Sequence, residues 1–137
     1  MINKFKIVNS PKELDGIKVY NNENEALEHI LMGEEVARFE FGDSMMPILE
    51  SGQYCKLIPI KNEDEVKVGD AVFCNLNGYL MTHMVLMKSN SSYGKPKFLI
   101  SSSGLSVYGW TEKVYAIAKG IPFIEDSAEI NYADLME

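Results

Sequence analysis

The spacing of hydrophobic residues changes near Gly33, from a helical period to strict alternation. Four apolar residues ahead of it lie at the spacing of one helix face: Ala26, Leu27, Ile30 and Leu31. Asn22 or Asn24 can cap this helix, and Gly33 can end it. We therefore expect one N-terminal helix, preceded by a short strand or arm at 5–8 and a strand at 17–20.

Strand-like patterns follow the helix. Polar and apolar residues alternate over 35–41, which predicts a half-buried strand with one apolar face. Five further segments have the length and composition of strands: 54–60, 71–76, 79–87, 97–101 and 114–121. Asn77 and Gly78 separate two of them and favour a tight hairpin, since both tolerate positive φ. One helix among many short strands predicts a mostly-β domain.

The charge is concentrated at the two ends of the chain. The 137 residues carry a net charge of -7, with -3 in 1–37, +1 in 38–124 and -5 in 125–137. We divide the chain into an arm and helix at 1–34, a β domain at 35–124 and an acidic tail at 125–137. An acidic chain whose single arginine is Arg38 has few cations for a phosphate backbone, so we expect no nucleic-acid partner.

Neither a membrane segment nor a metal site is expected. The chain has no apolar run of membrane-spanning length and no secretory signal at its N-terminus, which predicts a location in the cytoplasm, or in a virion if the protein comes from a phage. Cys55 and Cys74 lack metal-binding spacing and are interpreted as buried free thiols. Of the two histidines, His29 is interpreted as a solvated residue near Glu25 on the helix. No cofactor is expected.

Ser44 is the first candidate catalytic residue. It follows a predicted strand that ends at Gly42, and Pro47 limits the turn that contains it. A serine in such a turn can expose its hydroxyl beside free backbone N–H groups, as a nucleophile and an oxyanion site require. The alternative interpretation is a capped helical turn that begins at Asp43.

His83 is the second candidate. It lies in an otherwise apolar strand, with Met81, Val85 and Met87 on its face. A histidine there can be a satisfied core residue, or a neutral imidazole that accepts a proton from Ser44. Desolvation by apolar neighbours such as Met81 and Met84 would lower its pKa.

Three segments in fixed order carry a family resemblance. Gly42-Asp43-Ser44-Met45-Met46-Pro47, Val68-Gly69-Asp70 and Thr82-His83-Met84-Val85 resemble the Ser-Met-x-Pro, Val-Gly-Asp and base-bearing boxes of the signal-peptidase/LexA superfamily of serine peptidases. The resemblance covers roughly 36–121. It implies a coiled, largely antiparallel β-fold, with Ser44 as nucleophile and Asp70 in a structural turn.

The same resemblance implies a Ser/His pair, since His83 stands where most members carry a lysine. This is similar to the endoplasmic-reticulum and archaeal type of signal peptidase. Lys88 is a poorer base, because its odd spacing from His83 predicts the opposite face of the strand. The family's last box normally supplies a carboxylate, whereas this chain has Ser101, Ser102 and Ser103 at that place. These hydroxyls can orient His83, or they only form a loop. The role of Asp43 stays open.

The sequence thus supports two functional hypotheses. In the first, a serine endopeptidase cleaves an extended peptide, and Met45, Met46 and Met81 line apolar subsites or fill the core. In the second, the peptidase fold is inactive and serves as a structural or protein-binding component, for example of a phage particle. The chain lacks the Ala-Gly and Cys-Gly pairs at which LexA-type relatives cleave themselves, and 1–34 is too short for a DNA-binding domain. Both hypotheses imply a protein or peptide partner, and an oligomer is compatible with either.

Overall fold

The structure is a computed structural model that describes residues 12–14, 16–40, 53–90 and 94–120. The strand expected at 5–8, the Ser44 turn and the acidic tail lie outside these ranges. The described part contains one α-helix and an antiparallel seven-stranded sheet, so the prediction of a mostly-β fold with one helix is confirmed. No helix in it is long and apolar enough to cross a bilayer.

The helix, α1, spans Glu23–Leu31, and the residues at its two ends determine where it begins and stops. Asn22 is the cap, because its side-chain oxygen accepts a hydrogen bond from the N–H of Glu25 at 3.0 Å. Glu23 and Glu25 lie in the first turn, where a negative charge is favoured by the helix dipole. Gly33 follows the last turn with φ of +87°, a conformation that glycine adopts without a steric penalty.

Nine strands in the described ranges form two sheets. A two-stranded sheet pairs β1 with β2, and the main sheet has the order β3-β4-β9-β5-β6-β7-β8. The strand bounds are β1 Glu13–Leu14, β2 Ile17–Lys18, β3 Val36–Glu40, β4 Gln53–Pro59, β5 Ala71–Leu76, β6 Tyr79–Lys88, β7 Phe98–Ser101, β8 Val107–Thr111 and β9 Val114–Gly120. The short strand β1 and the edge strand β8 were not expected from the sequence.

Strand β3 is buried on both faces at its start, so the expectation of a single apolar face is wrong there. Val36 joins the core beneath α1, whereas Ala37 packs with Leu14 of the small sheet. Arg38 is also buried, and its guanidinium lies 5.5 Å from the ring centre of Phe73. The core beneath α1 therefore takes up the start of the face that the sequence pattern left exposed, whereas the residues before α1 cover the predicted apolar face.

The main sheet separates two hydrophobic cores, and β5 supplies both. Ala71 and Phe73 point into the core that α1 covers, while Val72 and Cys74 point into a second core with Val85. Alternate residues of a strand face opposite sides, so a continuous apolar run is what this central strand requires. Asn77 and Gly78 close the β5–β6 hairpin with φ of 53° and 89°, which confirms the predicted tight turn.

Candidate active site

His83 lies in the middle of β6, on the face of the second core. It pairs with Val72 of β5, and its neighbour on the same face, Met81, packs against that core. Met84 faces the other way, toward the core beneath α1. The expected contribution of Met84 to the desolvation of His83 is therefore not seen, whereas Met81 and Val85 share the imidazole's face.

The imidazole of His83 is partly buried. Burial lowers its pKa below the ordinary value, because desolvation disfavours the charged ring. Nδ1 is fully buried and has no hydrogen-bond partner in the described part of the chain. Buried polar atoms normally have such partners, and an exception in a native structure calls for an explanation, such as a catalytic role or an ordered water. The described residues therefore do not satisfy this nitrogen of His83.

Tyr108 of β8 covers the imidazole, a contact that the sequence reasoning missed. The two ring centres are 4.6 Å apart and the ring planes are inclined by 31°. Val107, Tyr108 and Trp110 are apolar or aromatic residues of the kind found in strands, but Gly109 interrupts them and the sequence analysis predicts no strand there.

The hydroxyls of the last box do not bond to Nδ1 of His83. Ser101 is fully buried, pairs with Met84 and donates its hydroxyl to the carbonyl oxygen of Ser102 at 3.0 Å. Ser102 accepts a hydrogen bond from the N–H of Ser106 at 3.1 Å, which closes the turn between β7 and β8. Ser103 lies in the same turn. The structure thus brings none of the three serines to the buried nitrogen.

Lys88 has a structural role. Its ammonium donates to the carbonyl oxygens of Glu63 and Val66, both at 3.0 Å, and lies 5.7 Å from the ring centre of Phe98. The expectation that it faces away from His83 is wrong. The register of β6 shifts between Val85 and Met87, and this bulge returns Lys88 to the face of the second core.

Asp70 holds the turn before β5, as the resemblance implies. Its carboxylate accepts a hydrogen bond from the N–H of Lys67 at 2.8 Å. The turn is fixed to β6, because the N–H of Gly69 donates to the carbonyl of Val85 and the N–H of Val85 donates to the carbonyl of Asp70. The Val-Gly-Asp segment therefore positions β6 two residues after His83.

The first half of β6 has a single strand partner among the described residues. β7 pairs with β6 only from Met84 to Lys88, so the stretch that leads to His83 is paired on one side, with β5. Leu80 and Met81 are partly buried there, and Met81 fills space at the second core. The other expected residues of the site, Asp43, Ser44, Met45 and Met46, lie outside the described ranges.

The other titratable residues of the described ranges form no second centre. His29 stacks on Tyr20 with ring centres 4.2 Å apart, and its Nδ1 lies 3.2 Å from a carboxylate oxygen of Glu34. The side chain of His29 is therefore packed against Tyr20 and Glu34, whereas a solvated side chain near Glu25 was expected. Cys55 and Cys74 are buried as predicted, and burial raises the pKa of Cys74 to about 12. Where the structure describes the chain, it groups no three side chains that could hold a metal ion.

A cavity of about 450 Å³ lies elsewhere, between the end of α1, the end of β4 and the start of β9. Glu35, Glu63 and Lys61 contribute its charged groups, and none of the expected site residues lines it.

Comparisons of the chain with protein-family models, with curated proteins and with solved structures find no match. The resemblance to the signal-peptidase/LexA superfamily therefore rests on the three motifs alone.

Proposed function

We propose that the protein is a serine endopeptidase that cleaves an extended peptide, with Ser44 as nucleophile and His83 as general base. The observation that carries this proposal is the buried Nδ1 of His83, which has no described partner, on a ring whose burial lowers its pKa. Such an imidazole is neutral near pH 7, so one of its nitrogens has a lone pair to accept a proton. The order of the three motifs supports the same assignment.

The reaction is acyl transfer in two steps. His83 takes the hydroxyl proton while Ser44 Oγ bonds to the scissile carbonyl carbon, and the imidazolium then gives that proton to the departing amine as the C–N bond breaks. Water, deprotonated by the same imidazole, hydrolyses the acyl-enzyme. The backbone N–H of Ser44 is the proposed donor to the oxyanion.

The first half of β6 offers an edge for the substrate. A peptide that adds to this stretch as a strand is held by backbone hydrogen bonds, so its sequence is read mainly by pockets for alternate side chains. The resemblance implies small side chains just before the scissile bond. We assign the protein to the cytoplasm, or to a virion if it originates from a phage.

A second candidate function is a protein-binding component that keeps the peptidase fold without activity. The edge strand β8 favours it, because Val107, Tyr108 and Trp110 are exposed there, together with Leu105 in the turn before them. Exposed apolar residues that cluster at one sheet edge are typical of protein contact sites. The same experiment separates the two candidates.

Labelling with a fluorophosphonate probe tests the nucleophile. We expect the wild-type chain to gain the mass of one phosphonyl group, and the rate to rise with pH as His83 loses its proton. Ser44→Ala and His83→Gln should abolish labelling. Ser51→Ala and His29→Gln are matched controls that remove another serine from the 41–52 stretch and the other histidine, and both should label at the wild-type rate.

The labelled site is then identified by peptide mapping, and cleavage is measured on a library of extended peptides. Equal labelling of Ser44→Ala and the wild-type chain would refute the nucleophile. A folded wild-type chain that neither labels nor cleaves would favour the binding component.

A further inference from the structure

Tyr108 has an unusual position for an aromatic side chain at a sheet edge. It is 42% exposed, yet its ring covers the imidazole of His83, which lies two strands away in the order of the sheet. Aromatic rings attract each other when stacked with an offset or an inclination, and 4.6 Å is within the range of such pairs. The contact therefore restrains the orientation of the imidazole and keeps water from one of its faces.

The backbone conformation of β8 places Tyr108 over the imidazole of His83. Gly109, directly after Tyr108, has φ of +144°, and a Cβ there would lie 3.5 Å from the side chain of Leu76 on β5. Thr111 fixes the end of the strand by donating its hydroxyl to the carbonyl of Asn75 at 2.6 Å. A register shift between Ile100 and Ser101 adds curvature. These features fold β8 back toward β5 and carry Tyr108 over β6.

The described strands around the imidazole bring no charged side chain to it. β5 contributes one titratable group, Cys74, which is neutral because burial raises its pKa to about 12. β7 contributes none and β8 contributes only Tyr108. β6 itself carries Tyr79 at its start and Lys88 at its end, and Lys88 is held by the carbonyl oxygens of Glu63 and Val66. Within the described ranges, the environment of His83 is thus set by packing, and Tyr108 is a partly exposed component of it.

We propose that Tyr108 is a positioning residue that holds the His83 imidazole in its working orientation and shields it from water. This role rests on the proposed function, in which the imidazole is the base. In serine peptidases with a triad, a carboxylate bonded to the histidine orients the ring. The buried Nδ1 of His83 has no such partner among the described residues, so the stacked phenol ring of Tyr108 orients the histidine in its place. The aromatic ring is what matters, and the hydroxyl is dispensable.

Titration of His83 by NMR, followed at its imidazole C–H signals, tests the role directly. We expect Tyr108→Ala and Tyr108→Leu to raise the His83 pKa toward its ordinary value of about 6.5, because water then solvates the charged ring. Tyr108→Phe should leave it unchanged. Trp110→Ala is the matched control, since Trp110 lies on the same strand, is 45% exposed and pairs with Leu99.

Cleavage of a peptide provides the second readout. Tyr108→Ala should lower kcat/KM about tenfold to a hundredfold and move the acidic limb of the pH profile upward, whereas Tyr108→Phe should restore both. An unchanged His83 pKa in Tyr108→Ala and Tyr108→Leu, or an equal shift in Tyr108→Phe, would overturn the role of the ring. A wild-type chain without peptidase activity would refute the proposed function alone, since the titration needs no activity.

Discussion

At the scale of single residues, His83 is an ionisable group in an apolar setting. Its neighbours on the strand face are side chains of the second core, and its buried Nδ1 has no described partner. Burial without a compensating hydrogen bond is costly, and mutational data put the cost at about 1–3 kcal/mol for a polar group. A protein that keeps such a group therefore accepts lower stability, as catalytic sites commonly do.

The desolvation of the His83 ring also makes the stability of the fold depend on pH. Because the folded pKa of His83 lies below the unfolded value of 6.5, the unfolded chain binds more protons between the two. The contribution of His83 to stability is fully present above the unfolded pKa and is lost as pH falls through the folded pKa. We expect urea unfolding of wild type and His83→Gln to differ accordingly, with wild type losing stability relative to the variant as pH falls from about 7.5 to about 5. Parallel curves would contradict the depressed pKa.

The sequence indicated the burial of His83 but not the groups around it. Its apolar flanks are local information, and they led to the correct direction of its pKa shift. The stacking partner Tyr108 is 25 residues further along the chain and arrives through a strand that curves back. The bulge that turns Lys88 toward the second core likewise could not be predicted by counting alternate positions along the strand. One extra residue reverses the side that each later residue faces.

At the scale of elements, local signals define α1 and the β5–β6 hairpin. Asn22 caps the helix, and Asn77-Gly78 forms the turn with two positive φ angles. The turn is supported further by Asn75, whose side-chain oxygen accepts a hydrogen bond from the N–H of Gly78 at 3.0 Å. Strand β8 lacked such a signal, because Gly109 breaks the run of strand-forming residues and a register shift breaks the alternation.

The hairpin turn allows a direct test at this scale. Gly78 has φ of +89°, and no atom would contact an added Cβ within 4 Å, so an alanine there is strained by its backbone alone. We expect Gly78→Ala to lower the free energy of unfolding by about 1–2 kcal/mol, measured by urea denaturation. Gly94→Ala is the matched control, since Gly94 also has open space around it and no positive φ. Equal effects of the two substitutions would rule out backbone strain as the cause.

At the scale of the whole molecule, the strand order joins segments that are distant in sequence. β9 lies between β4 and β5, so the end of the β domain is at the centre of the sheet. Periodicity identifies strands but does not indicate which distant strands pair. The strand order of the main sheet therefore could not be predicted from the sequence pattern. The consequence is that β5 and β9 are shared by both cores, with Phe73 and Ala116 on one side and Val72 and Val114 on the other.

Shared central strands predict that the two cores unfold together. Phe73 is fully buried in the core beneath α1, whereas the single tryptophan, Trp110, lies on β8 at the opposite edge of the sheet from β3. We expect Phe73→Ala to cost about 3–5 kcal/mol and to shift the tryptophan fluorescence transition as far as the far-ultraviolet circular dichroism transition. Coincident curves are the signature of one cooperative unit. A fluorescence transition that stays at its wild-type midpoint would show that β6, β7 and β8 fold independently, and the site around His83 would then not depend on the core beneath α1.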